Sequence, residues 1–336
     1  MSTIIQRIKH KVDVAKDKFF PMTEFDAATL PWIDRPNPPI ADFLAKNPPR
    51  FEVPYDMADK LSHWHDKGYV VLEQIVPHEM VDRFWQDVEE IIEHPERHFL
   101  NVRIDRDEFK PNQERNISDF PKDALRGKYV KFNDFHNSSV AGKKLMAHPS
   151  IVAFLEAVFN QQVVVMQSLV FLYGSQQPTH QDFPWVTAKI PSHLAAAWIA
   201  LEDIKIDSGP LFYYIGSHRI PKFNFGTGIL WKPNSPRTPL EFADYLNKTC
   251  EEHNLPKETL LIKKGDVLIW HSALAHGGGP ILNPEQTRKS FVCHYSTEQA
   301  LPFHRSNINT VPVKQEYNGM YIYNNPALPQ AEDSLK

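Results

Sequence analysis

The chain has 336 residues, 42% of them hydrophobic and 23% charged, which suits one large globular domain with extensions. A formal net charge of −4, with a pI near 6.5, excludes nucleic-acid binding driven by bulk charge. Two cysteines, Cys250 and Cys293, are too few for a disulfide framework, and no apolar run is long enough to span a bilayer.

Residues 3–20 read as a basic amphipathic helix, with Ile4, Ile8, Val12, Ala15 and Phe19 near helical spacing among lysines and arginines. The proline-rich stretch 31–54 reads as an extended arm rather than a packed element. Gly68 to Glu73 is the first strand. Pro77 opens a helix reaching about Glu93, with Val81, Phe84, Val88, Ile91 and Ile92 on one face. Residues 94–127 are charged and irregular, and Pro149 starts a second helix through Phe159. From Val163 the pattern turns to β. Val163–Tyr173, Leu194–Leu201, Leu211–Ile215, Leu260–Ile262, Val267–Trp270 and Ser290–Tyr295 are predicted strands, interrupted by a helix over 239–253. The last residues, 301–336, carry little periodicity. The whole predicts a mainly β fold with flanking α, a jelly-roll double sheet buttressed by N-terminal helices. It divides into a 1–55 extension, a 56–300 domain and a 301–336 tail. Glycine is sparse, at 13 residues, and neither GxGxxG nor a P-loop occurs, so a nucleotide fold is not expected.

The chemistry concentrates in two segments. In His180-Gln181-Asp182 an imidazole and a carboxylate two apart share one face of an extended chain. A second histidine from elsewhere would complete the facial triad of a non-haem Fe(II) oxygenase. His271 and His276 both compete for that role; His276 precedes three glycines that allow close approach. Downstream, Arg288 and Ser290 share a strand face, and a guanidinium fork beside a hydroxyl suits a buried carboxylate.

Taken in order, Lys131-Phe-Asn-Asp-Phe135, His180-Gln-Asp182, Ala197-Trp-Ile-Ala-Leu-Glu202, Asp207-Ser-Gly-Pro-Leu211, Gly216-Ser-His-Arg219, Gly265-Asp-Val267, His276-Gly277 and Arg288-Lys-Ser290 resemble the phytanoyl-CoA dioxygenase family of Fe(II)/2-oxoglutarate-dependent oxygenases. The resemblance implies a cupin-like double-stranded β-helix, with iron held by His180, Asp182 and His276. It implies that Arg288 and Ser290 bind the distal carboxylate of 2-oxoglutarate, with Trp198, Lys131 and Leu169 nearby. Tyr173, Phe183, Trp185 and Trp231 are candidates to face substrate, His271 to line or orient the site, and Lys189 or His193 to meet an anionic group. The expected reaction is hydroxylation of an unactivated C–H of a small-molecule metabolite by O₂, with 2-oxoglutarate converted to succinate and ascorbate as reductant in vitro. An intact Asp182 argues against a halogenase. The alternatives are a non-catalytic metal- or ligand-binding protein on the same scaffold, and an iron oxygenase that does not use 2-oxoglutarate. The N-terminus shows no apolar signal core, so the expected compartment is the cytoplasm, without nucleic-acid partners; a homo-oligomer stays open.

Overall fold

In the computed structural model, which describes residues 21–104, 114–186, 188–301 and 312–331, the β-rich part of the chain forms two facing sheets. Strands are β1 (Tyr69–Leu72), β2 (Asn101–Ile104), β3 (Glu114–Asn116), β4 (Val130–Asn133), β5 (Val163–Phe171), β6 (Leu194–Ala200), β7 (Leu211–Tyr214), β8 (Lys257–Thr259), β9 (Val267–His271), β10 (His276–Gly278), β11 (Ser290–Thr297), β12 (Val313–Tyr317) and β13 (Met320–Asn324). The large sheet runs β1-β9-β6-β11-β5-β4-β2-β3, with β13 and β12 added beside β5. The small sheet is β10-β7-β8. All these pairings are antiparallel except β13 on β5.

Period-two alternation sorts the large sheet's side chains into two environments. Ala195, Ala197, Ile199, Val267, Ile269, Phe291, Cys293 and Tyr295 face the helices, against Trp64, Phe84 and Phe154. Ala196, Trp198, Leu268, Trp270 and Val292 face inward, packing with Leu211 and Tyr213 of the small sheet. Strands buried on both faces read as continuous apolar runs, which is why β6 shows no polar residue at all. The buttressing helices include α1 (Ile40–Lys46), α2 (Met57–Lys67), α3 (His78–Glu93), α4 (Lys122–Leu125), α5 (Val140–Met146) and α6 (Pro149–Phe159); α7 (Pro239–Glu252) packs beyond the small sheet. α7 starts at a complete capping box, Thr238 with Glu241.

β5 contains an irregularity. Its register with β11 runs from Ser290↔Phe171 to His294↔Gln167, then skips to Tyr295↔Val165, leaving Met166 as an extra residue. Before the break β5 pairs with β4; beyond it, with β13.

Several expectations need correction. The 31–54 stretch is not a bare extended arm. Trp32–Asp34 forms a 3-10 turn, α1 follows Pro38-Pro39, and Ile33 is fully buried in the main core. Trp32 stacks on Phe43 at 3.8 Å and donates through Nε1 to the Ala157 carbonyl at 2.8 Å, so its apolar residues override the prolines. The segment 94–127 contains β2, β3 and α4 among its described residues. The strand placed at Leu260–Ile262 lies earlier, at Lys257–Thr259, because Leu260 and Ile262 turn into the barrel interior. The tail contains the β12–β13 hairpin, turned by Asn318 and Gly319, both with positive φ. The basic helix over 3–20 lies outside the described residues.

Candidate metal centre and cosubstrate pocket

His180 and His276 are joined by a reciprocal backbone bridge, with N···O distances of 2.8 and 2.9 Å. This bridge extends the small sheet by one residue and sets the two rings 4.3 Å apart, centroid to centroid. The bend at Asp182 is anchored by its own N–H, which donates to the Ser272 carbonyl at 2.9 Å. Each ring is also turned the right way. His180 Nδ1 donates to the Pro178 carbonyl at 2.8 Å, and His276 Nδ1 to the Leu274 carbonyl at 2.9 Å. With the proton on Nδ1, both Nε2 lone pairs are free. They lie 3.8 and 3.7 Å from Asp182 Oδ1, and the three ligand atoms all fall within 4.8 Å of one another.

Charge states suit a divalent cation. Burial, reinforced by His276, pulls the His180 pKa down to about 4, so its imidazole is neutral at pH 7. Burial opposes ionisation of Asp182, but His276, His294 and His180 outweigh it and hold the carboxyl below its usual range. Two imidazoles and one carboxylate on a single point form the donor set of a non-haem iron site. The first two glycines after His276 pack against neighbouring chain, including the Phe212 ring, 2.7 Å from where a Cβ at Gly277 would lie. A Cβ at Gly277 would lie 2.9 Å from the Gln177 carbonyl, and one at Gly278 would lie 2.6 Å from the Gln176 nitrogen.

Arg288 enters β11 almost fully buried, at 2% exposure, and forms no ion pair with a carboxylate of the described residues. Its Nε and the Ser290 hydroxyl are both buried without a hydrogen-bond partner. The guanidinium carbon lies 5.4 Å from the Trp198 ring and 5.9 Å from that of Phe171. Burial lowers its pKa to about 10, which leaves it cationic at neutral pH. Such a charge is costly unless paired, and a ligand carboxylate would supply the pair. Glu202 does not: it accepts from the Thr287 hydroxyl at 3.0 Å and the Lys289 N–H at 2.8 Å, fixing the chain on either side of Arg288. Leu169 lies in the same interior, paired with Val292 across β5 and β11. Lys131 reaches over the Phe171 ring at 5.6 Å, and its charge adds to the lowering of the His180 pKa.

The structure separates the remaining candidates. His271 sits on β9 immediately after Trp270, so it projects to the opposite face, among Trp64 and His218, with Nε2 at 3.4 Å from Asp34 Oδ2. It therefore does not line the triad. Its Nδ1 accepts from the Ala273 N–H at 2.9 Å, which puts the proton on Nε2, towards Asp34. Replacing His271 with alanine is expected to leave Fe(II) affinity unchanged. It should lower stability by about 1–3 kcal/mol through the buried Asp34 carboxylate, read as a lower urea midpoint beside metal titration. A loss of iron in this variant would overturn the placement.

Phe183 is also turned away: one residue past Asp182, it packs edge-on to Phe25 at 5.0 Å and is 1% exposed. His193 is committed at both nitrogens, to Thr297 Oγ1 and the Thr29 carbonyl, so it is not available to an anion. Lys189 is exposed. Trp185 and Trp231 are half-buried neighbours at 5.3 Å, backed by Phe225 and Phe242. The carbonyl of Tyr173, not its ring, faces Arg288 Nη2, at 3.5 Å. Sequence reasoning missed Trp270, whose Nε1 donates to Asp182 Oδ2 at 2.8 Å, and His294, whose Nε2 lies 3.8 Å from the same oxygen. The signal for His294 was present: it shares the period-two phase of Ser290.

A double-stranded β-helix with such a triad is the architecture of non-haem Fe(II) oxygenases, among them those that depend on 2-oxoglutarate. Residues 64–290 match the family model of phytanoyl-CoA dioxygenase, and the chain belongs to that family. It is 22% identical over 256 residues to the peroxisomal phytanoyl-CoA dioxygenase of Homo sapiens, covering 70% of this chain and 66% of that protein, just under two thirds. A probable phytanoyl-CoA dioxygenase of Caenorhabditis elegans is 24% identical, covering 72% of this chain and 75% of its own length. Among solved structures, EctD from S. alaskensis with 2-oxoglutarate and 5-hydroxyectoine superposes with a TM-score of 0.53 at 17% identity, over 82% of this chain and 90% of that one. The epimerase SnoN in complex with Fe3+, alpha ketoglutarate and nogalamycin RO gives 0.54 at 17% identity, over 81% and 97%. Among the described residues no helix is long and apolar enough to cross a membrane.

Proposed function

We propose that the chain is an Fe(II)/2-oxoglutarate-dependent dioxygenase that hydroxylates an unactivated C–H of a small-molecule metabolite. The observation that carries this reading is Arg288. A buried guanidinium with an unpartnered Nε, beside an unpartnered Ser290 hydroxyl, has the chemistry of a receptor for a dicarboxylate's far end. His180, Asp182 and His276 would hold the metal through both Nε2 atoms and a carboxylate oxygen. Arg288 and Ser290 would fix 2-oxoglutarate, while Trp198 and Leu169 exclude water from its chain and Lys131 adds positive charge. When bound, iron would supply the O₂ activation, coupled to conversion of 2-oxoglutarate into succinate and CO₂, that side chains alone cannot provide.

Trp185 and Trp231 form the wall we assign to substrate. Residues 56–300 would be the catalytic unit, with the flanks shaping access. The buried free thiols of Cys250 and Cys293 favour a reducing compartment, and we place the protein in the cytoplasm.

The test is succinate formation with Fe(II), ascorbate and 2-oxoglutarate, screened for metabolites that stimulate it, followed by mass spectrometry of the product. Stimulated turnover with gain of one oxygen atom is expected. A metal-loaded protein that forms no succinate with any metabolite would instead be a binding protein on this scaffold. Turnover that persists in Arg288→Ala without 2-oxoglutarate would mark an oxygenase of another kind.

A further inference from the structure

β9, β6 and β11 are adjacent, and their registers align Trp270, Ala196 and His294 in one row across the sheet. Each of the three faces inward: Ala196 and Trp270 belong to the interior cluster, and His294 shares the phase of Val292. Strands are spaced about 4.8 Å apart, so the backbones that carry the two large rings stand about 9.6 Å from each other across the alanine. Ala196 is fully buried and leaves the middle of the row low. Into that gap drops Oδ2 of Asp182. Trp270 Nε1 donates to it at 2.8 Å from one side, and His294 Nε2 faces it at 3.8 Å from the other. Among the described residues nothing pairs with His294 Nδ1, which is buried, so the proton is best used on Nε2, towards the carboxylate. The other oxygen, Oδ1, is the one facing both His180 Nε2 and His276 Nε2.

We propose that Trp270, Ala196 and His294 form a cradle that commits Asp182 to bind metal through Oδ1 alone. The inference rests on the ligand assignment above. Trp270 and His294 act through Asp182 and are positioning residues. Ala196 is required to be small: a branched side chain there would push Oδ2 out and rotate the carboxylate. A carboxylate free to rotate can bind through both oxygens and take up a coordination position that cosubstrate or O₂ needs. Partners of this kind typically change metal affinity by about 10–100-fold.

The experiment uses the full chain and Co(II) as probe, under exclusion of O₂. Affinity is read by titration and coordination number by the visible absorption of bound Co(II). Trp270→Phe keeps the ring and removes the N–H; His294→Leu removes the donor and His294→Gln restores one; Ala196→Val fills the gap. Trp270→Phe and Ala196→Val are expected to weaken Co(II) about tenfold and alter its spectrum. His294→Leu should do so less, and His294→Gln should recover the wild-type spectrum. Should Trp270→Phe fail to fold, the His294 pair reads the same oxygen from the other side. Wild-type affinity and spectrum in folded Trp270→Phe and His294→Leu would overturn the cradle. Asp182→Ala separates the two levels. If it loses Co(II) while those variants do not, only the cradle is wrong; if it binds Co(II) like the wild type, the ligand assignment falls as well.

Discussion

Replacing His180, Asp182 or His276 by alanine is expected to abolish turnover and to weaken Fe(II) binding beyond the roughly 10–100-fold typical of a ligand's supporting partners. Three ligand atoms within 4.8 Å of one another are the minimum facial set, so losing one leaves only two. Asp182 should be the most damaging of the three. Its loss removes a negative charge as well as a ligand, and strands the Trp270 N–H and the His294 ring around an empty gap. Anaerobic titration with Fe(II) beside succinate assays checks this. Full iron affinity in any of the three alanine variants would remove that residue from the metal site.

Arg288→Lys should raise the KM for 2-oxoglutarate by about 10–100-fold while leaving Fe(II) affinity intact. The lysine keeps the charge but loses the planar fork, and a charge-assisted hydrogen bond is worth about 1.5–3 kcal/mol. The pocket also selects for the fork: Trp198 and Phe171 flank the guanidinium, and Glu202 holds the chain on both sides of residue 288. Steady-state kinetics with varied 2-oxoglutarate, at saturating iron, gives the answer. An unchanged KM would place the carboxylate receptor elsewhere.

What was legible in the chain followed local pattern. Proline, the spacing of Val81, Phe84, Val88, Ile91 and Ile92, and the uniform apolarity of Leu194–Ala200 specify α3 and β6 without tertiary information. The candidate triad could be named because HxD places an imidazole and a carboxylate two residues apart and the ordered family motifs point to His276; in the structure the three lie within 4.8 Å of one another. Less legible were contacts across the sheet. Trp270 and His294 meet at Asp182 only because β6 separates their strands by one alanine, a register that neither segment encodes alone. The same holds for Asp34 and His271, which come from opposite ends of the chain to one side of β9. Phe183 and His271 were misplaced for simpler reasons: His271 adjoins Trp270 on a strand and so takes the opposite face, and Phe183 lies in the turn after Asp182, which carries it away from the site. The β12–β13 hairpin was readable from Asn318-Gly319 and was overlooked because its strands mix polar and aromatic residues.

The extra residue in β5 has a further bearing on how this chain can change. Val163 and Val165 face the helices, yet so does Val170, an odd number of positions later. Met166 absorbs the difference, and Leu169 and Phe171 thereby reach the interior beside Trp198. A one-residue deletion here would turn one half of the strand inside out, whereas a conservative replacement at Leu169 would be felt only locally. Along β5, length is therefore constrained more tightly than identity.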